Sequence, residues 1–136
     1  MSNARDVIDN HITAFNSRTP SDEPWSEDAQ LVSPGGVFTG REQVLEFLSV
    51  FQTAFSAGTL SIISSVESGD DASVEGLFDG VHDGPLRSPS GTVEATGKSV
   101  SFRWSATYHI DGNTLLSEHL YFDQLDFLTQ LGLAGE

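Results

Sequence analysis

The segment Ser117–Gly132, reading S-E-H-L-Y-F-D-Q-L-D-F-L-T-Q-L-G, holds the residues best suited to moving a proton. It reads as a strand that runs directly into a closing helix. Side chains alternate between the faces of a strand, so His119, Tyr121 and Asp123 are expected on one side. From Gln124 onward the period changes, with Leu125, Leu128 and Leu131 at helical spacing and Gly132 placed to stop the helix. An imidazole, a phenol and a carboxylate would then share one space, which suits acid–base chemistry on a small molecule. A purely structural alternative makes Asp123 the helix cap and His119 a satisfied core histidine.

The strand facing this segment decides which other side chains see a ligand, and two registers are open. A two-residue Asp111-Gly112 turn sets Trp104 opposite His119 and Phe102 opposite Tyr121. It gives an aromatic-lined pocket suited to a planar ligand. A three-residue loop with a glycine bulge flips the parity and puts Arg103, Ser105 and His109 on the face of Asp123. An Arg–Asp pair would hold Asp123 ionised, which suits activation of water. The Asp-Gly signal favours the two-residue turn.

Other residues add less. His82 ends a strand and is placed either at the pocket mouth or in solvent, while His11 sits on a helix and reads as structural. Trp25, Phe15, Phe47, Phe51 and Phe78 could line a cavity or simply fill the core. The four histidines, at positions 11, 82, 109 and 119, show no H-x-H or H-x-x-x-H spacing, so no metal site is expected. Neither G-x-x-x-x-G-K-S/T nor G-x-G-x-x-G occurs, which removes the strongest arguments for a phosphate cradle.

The elements that must position these residues follow from periodicity. A helix is expected over Asn3–Asn16, with Val7, Ile8, Ile12 and Phe15 as its apolar stripe. Pro20 and Pro24 bracket a polar connection with a short helical turn through Trp25, and Ala29–Ser33 is a short strand before the turn Pro34-Gly35-Gly36. Thr39-Gly40-Arg41-Glu42 has capping-box spacing ahead of a helix carrying Val44, Leu45, Phe47, Leu48, Phe51 and Phe55. Four strands then follow, Leu60–Glu67, Ala72–His82, Ser99–Ile110 and Thr114–Asp123, with Asp83–Gly97 as a long surface loop. Helices followed by a run of antiparallel strands imply an α+β fold with the helices on one face.

Composition sets outer bounds. The 136 residues suit one domain, residues 1–136, with a single core. Twenty acidic residues against six basic ones give a net charge of −14. A field of that sign repels phosphate backbones and anionic lipid, so neither nucleic acid nor membrane is an expected partner. No apolar run approaches the roughly 20 residues that span a bilayer, and the N-terminus lacks a basic-then-apolar leader pattern. The expectation is a cytoplasmic protein. Dispersed acids with a single lysine, Lys98, fit a cytosol at high salt, as in a halophile. With no cysteine, thiol chemistry is absent.

Several pieces in order resemble the SnoaL-like polyketide cyclases of the nuclear-transport-factor-2-like superfamily. They are an N-terminal helix, Phe38-Thr39-Gly40-Arg41 opening the next helix, and Gly80-Val81-His82-Asp83-Gly84-Pro85 on a strand. Thr96-Gly97-Lys98-Ser99-Val100 then leads into a long strand, followed by Asp111-Gly112 and Glu118-His119…Asp123…Gln130-Leu131-Gly132. The loop before Thr96 is long for that family. The resemblance implies a cone-shaped, curved antiparallel sheet wrapped by N-terminal helices (a cystatin-like architecture), a deep pocket, and a homodimer formed through the sheet. It also implies that the carboxylate at the end of the last strand, here Asp123, is the acid/base.

The chemistry of that assignment is general. Aldol ring closure removes a proton beside a carbonyl and returns one to the new oxygen, and a desolvated carboxylate can do both without a cofactor. His119 would orient Asp123 or stabilise the oxyanion. The expected ligand is a small apolar or aromatic carbonyl compound. The function classes left open are a cofactor-independent cyclase, a related isomerase or epoxide hydrolase, and a non-catalytic ligand-binding or dimerisation module of the same fold. For the dimer, Leu116, Leu120 and Phe122 with Glu118 are expected to form an apolar outer face.

Overall fold

Period-two alternation dominates the second half of the chain and builds one large sheet. The computed structural model describes residues 4–133. In chain order the elements are α1 (Ala4–Ser17), a 3-10 turn (Pro20–Asp22), β1 (Trp25–Ser33), β2 (Gly36–Thr39), α2 (Arg41–Ala54), β3 (Thr59–Ser68), β4 (Asp71–Val81), β5 (Leu86–Ser88), β6 (Gly91–Val93), β7 (Ser99–Asp111), β8 (Thr114–Phe122) and α3 (Gln124–Gln130). Six strands form a curved sheet in the order β2-β1-β8-β7-β4-β3, and β5 pairs with β6 alone. The α+β class and the wrapping of the sheet by helices agree with the sequence reading.

The sheet differs from the expected one in a single pairing. β1 runs parallel to β8, while the other pairs are antiparallel, so the sheet is mixed. β1 is also longer than the Ala29–Ser33 segment, because Trp25 begins the strand and does not sit in a helical turn. Its side chain is buried and only Pro20–Asp22 is helical. The segment 83–97, expected as a loop, folds into the β5–β6 hairpin with Leu86 buried under it. The start of α2 is capped in reverse: Gly40 occupies the cap with φ +91°, and Gln43 Oε1 accepts from the Thr39 N–H. Asn3 lies outside the described residues.

β7 shows why the sheet has an inside. Val100, Phe102, Trp104, Ala106, Tyr108 and Ile110 are buried, and the residues between them are exposed. A one-residue slip would exchange those sets, so burial fixes the register. Helices α1 and α2 cover the apolar side with Val7, Ile8, Phe15, Val44, Phe47 and Leu48, which join the strand residues in one core. No helix among the described residues is long and apolar enough to cross a membrane.

Candidate functional site

The β7–β8 hairpin sets the geometry. Asp111 pairs with Thr114, so the loop is Gly112-Asn113, with Gly112 at φ +60° where glycine is favoured. One step further, Ile110 pairs with Leu115 but His109 pairs with Ser117, leaving Leu116 as a bulge residue. The shift puts Trp104 opposite Phe122 and Tyr108 opposite Glu118. The Trp104–His119 pairing favoured by the Asp-Gly turn is therefore replaced. Arg103, Ser105 and His109 do share a face with His119 and Tyr121, but that face points out of the molecule.

Several sequence-derived expectations are corrected by this geometry. His119 is exposed opposite Thr107, and Tyr121 is 57% exposed opposite Ser105. Asp123 is exposed and accepts the Asp126 N–H at 2.9 Å, the bond that caps α3. Arg103 and His109 lie on the outer face, where His109 Nδ1 meets Asp71 at 2.7 Å. His82 is neither exposed nor at the pocket mouth. It is fully buried beside Phe55 and bonded to Thr96. Conversely Glu118, Leu120 and Phe122, expected on the outside, line the interior. Phe15, Phe51 and Trp104 are also in its wall, and Trp25 lies behind it.

The interior is an apolar slot between α1, α2 and the concave side of β4, β7 and β8. Its empty volume is about 470 Å³, part of it open to solvent. Walls rich in aromatic rings favour a flat ring as ligand. Phenylalanines 15, 47, 51, 78, 102 and 122 supply six of its thirteen lining side chains. Besides the indole of Trp104, three side chains bring polar groups to it: His11, Tyr108 and Glu118.

These three are tied together and to Glu23. His11 Nδ1 lies 2.6 Å from Glu23 Oε1, which also accepts the Trp25 Nε1–H at 2.9 Å. A carboxylate oxygen that already accepts one bond accepts the second as well, so the His11 proton sits on Nδ1. Its Nε2 faces Glu118 Oε1 at 3.9 Å, and the Tyr108 O–H donates to Glu118 Oε2 at 3.2 Å. All four side chains are buried. Arg41 fastens the Glu23 loop from below, donating to the backbone carbonyls of Glu23, Trp25 and Pro20.

Burial reshapes their acidities. Glu118 is pushed up to about 7, chiefly by desolvation, although His11 and the Tyr108 bond pull the other way. Tyr108 is driven well above its ordinary range by burial and by the adjacent Glu118 charge, so it stays protonated. Burial lowers His11, but the charge and hydrogen bond of Glu23 outweigh it and the net direction is upward. The result is a carboxyl group that exchanges protons near neutrality inside an apolar slot, flanked by a neutral donor and an imidazole. No group of three or more His, Cys, Asp or Glu side chains among the described residues could hold a metal ion.

Glu23, Tyr108 and Glu118 were not singled out as site residues from sequence, and His11 was read as structural. One signal was present: Glu118 lies in step with Leu120 and Phe122, a charge within an apolar period, and Tyr108 occupies the matching row of β7.

Comparison with known proteins places this geometry. IdmH from Streptomyces antibioticus, a proposed polyketide cyclase, superposes with a TM-score of 0.81 at 22% identity, covering 96% of this chain and 99% of its own. A proposed SnoaL-like polyketide cyclase from Jannaschia sp. CCS1 gives 0.79 at 15% identity, with 100% and 97% covered. An NTF2-like protein from Burkholderia pseudomallei K96243 gives 0.76 at 17%, with 96% and 98% covered. At these identities the likeness is one of fold. No curated protein matches the chain in sequence. The SnoaL-like domain model does match, over residues 8–119, and with most of its length so covered the chain belongs to the SnoaL-like family.

Proposed function

We propose that this protein is a cofactor-independent acid–base catalyst acting on a small planar carbonyl compound, and that the reaction is a ring closure of the polyketide-cyclase type. The observation that carries this reading is Glu118: a buried carboxyl poised near neutrality at the wall of an apolar slot. A general base works best when its pKa lies near the working pH. Glu118 takes a proton from the carbon beside the carbonyl, the resulting enolate carbon attacks a second carbonyl, and the proton returns from Glu118 to the new alkoxide. Atoms and charge balance within the substrate, so the step is an isomerisation. In its imidazolium form, which Glu23 favours, His11 turns an Nε2–H toward Glu118 and stabilises the carboxylate between the two transfers, and Tyr108 supplies a neutral O–H beside the developing charge.

The proposed cyclase activity of two structural neighbours supports the choice of ring closure over other carbonyl chemistry. The role given to Asp123 by resemblance passes to Glu118, since Asp123 is bonded into the cap of α3. A second reading, a binding module without turnover, draws on how much of the interior is occupied by core side chains such as Phe47, Phe78 and Phe102.

A generic proton-abstraction probe separates them. 2-Indanone is flat and has acidic protons beside its carbonyl, and their exchange in D2O is followed by NMR. The wild-type protein is expected to accelerate exchange, Glu118→Gln to lose about 10²–10⁴-fold, and Asp123→Asn to keep the wild-type rate. Equal rates for wild type and Glu118→Gln would leave only the binding module.

A further inference from the structure

Two of the side chains lining the slot carry a buried polar atom with no hydrogen-bonding partner among the described residues: Trp104 Nε1 and Glu118 Oε1. Trp104 is 5% exposed and Glu118 3%, and both line the same space. A buried donor left unpaired costs about 1–3 kcal/mol, so native proteins keep such groups few. Glu118 Oε1 already has an assigned task. The indole N–H has none.

The backbone is adapted to this indole. Gly76 on β4 pairs directly with Trp104, and a Cβ placed there would lie 2.2 Å from Trp104 Cζ2 and 2.3 Å from Cε2. The indole therefore occupies the space that a side chain at position 76 would fill. A glycine inside a strand often marks such a close approach. Phenylalanine at position 104 would supply an apolar ring at the same sheet position without the N–H. What tryptophan adds is a donor, and an indole N–H can only donate.

The group that satisfies it is an acceptor. An anion is disfavoured by a slot with no lysine or arginine among its described lining residues and by a net charge of −14. A neutral carbonyl oxygen on a flat ring satisfies the donor and fits the phenylalanine walls. Trp104 and Glu118 are not cross-strand neighbours: Trp104 pairs with Phe122 and Glu118 with Tyr108, four residues along β7. That is a backbone span of roughly 13 Å. Polar groups that reach both belong at opposite ends of the ligand.

We infer that Trp104 Nε1–H is the anchor for a substrate carbonyl oxygen, and that the substrate is a flat, uncharged ring system with that oxygen at one end and an acidic C–H or O–H at the other. The inference rests on the acid–base reading of Glu118 for the second end only. Trp104 touches substrate and sets specificity, while Gly76 positions it.

The test uses three bicyclic probes of nearly one shape: indane, 1-indanone and 5-hydroxy-1-indanone, the last with its hydroxyl across the ring from the carbonyl. The chain has two tryptophans, so a 1H–15N spectrum shows two indole signals, and Trp104→Phe identifies the one from Trp104. The wild type should bind 1-indanone about 10-fold more tightly than indane, the usual order for one buried hydrogen bond, with the Trp104 signal moving downfield. 5-Hydroxy-1-indanone should bind more tightly again. In Trp104→Phe the ketone and the hydrocarbon should bind alike. In Glu118→Gln the preference for ketone over hydrocarbon should survive and the gain from the hydroxyl should shrink.

Equal binding of indane and 1-indanone by the wild type, or a still Trp104 signal, overturns the anchor. So does failure of all three to bind at millimolar concentration, or tighter binding of tetramethylammonium than of 1-indanone. Should the ketone preference depend on Trp104 while 2-indanone exchange ignores Glu118, the anchor stands and the catalytic reading of Glu118 falls.

Discussion

At the scale of single residues, the informative one is a glutamate in the wrong place for ordinary packing. Burial weakens Glu118 as an acid, and its raised pKa is a statement about stability. In the unfolded chain the group ionises near 4.5, whereas in the fold it retains its proton up to about 7. Between those values the folded state binds more protons than the unfolded one, so stability falls as pH rises. The difference is on the order of 3 kcal/mol for a shift of that size. His11, also raised, acts in the same direction: its contribution is present below its unfolded value of 6.5 and is lost as pH climbs through the folded one. Urea unfolding at pH 5 and pH 8 should therefore find the wild type more stable at pH 5. Glu118→Gln, which keeps the shape but cannot ionise, should flatten most of that slope. An unchanged slope would mean that Glu118 is ionised in the fold at neutral pH, and its use as a proton shuttle would lose its basis.

At the scale of elements, the helices and strands were legible because each carries its own period. α2 announces itself through Val44, Phe47, Leu48 and Phe51, and β7 through a strict alternation from Val100 to Ile110. The faces of β8 were not legible from Asp111-Gly112 alone. Its register depends on where the loop sits and on the bulge at Leu116, each of which moves the pairing by whole residues. Had the apolar row Leu116, Leu120 and Phe122 been matched to the apolar row of β7, Glu118 would have turned inward and Asp123 outward. The loop containing Glu23 has no period to read, because its place is fixed by Arg41 from another element. Gly76 offers a test at this scale. Gly76→Ala drives a methyl into the Trp104 indole and to within 2.7 Å of the Ser61 carbonyl oxygen, an overpacking expected to cost about 1–3 kcal/mol. Adding Trp104→Phe should restore part of that loss in denaturant unfolding. A double variant no more stable than Gly76→Ala would show that the Ser61 backbone, not the indole, forbids the side chain.

At the scale of the whole molecule, we propose the face of the sheet turned away from the helices as the surface through which two copies would pair. The row crossing it is Val37, Val32, His119, Thr107, Ser73 and Val66, with Tyr121 beside it. Val66 is 74% exposed, Val37 58% and Tyr121 57%. The dimer patch expected from sequence, Leu116, Leu120 and Phe122 with Glu118, cannot serve, because Glu118, Leu120 and Phe122 line the slot. A homodimer of the kind the family resemblance implies would use this other side, where valines and a tyrosine are mixed with hydroxyls. Each copy carries a charge of −14, so pairing brings two strongly acidic bodies together. The Debye length is about 30 Å at 0.01 M salt and about 3 Å at 1 M, so the repulsion is long-ranged in dilute buffer and nearly removed at high salt. Sedimentation at micromolar protein should accordingly show a shift toward dimer between 0.01 M and 1 M salt. Tyr121→Asp, a charge set into the middle of the face, should hold the protein monomeric at both. Because Tyr121 lies outside the slot, the variant should keep the wild-type rate of 2-indanone exchange per chain. A wild type that stays monomeric at 1 M salt, or a dimer indifferent to Tyr121→Asp, would remove this face as the point of contact.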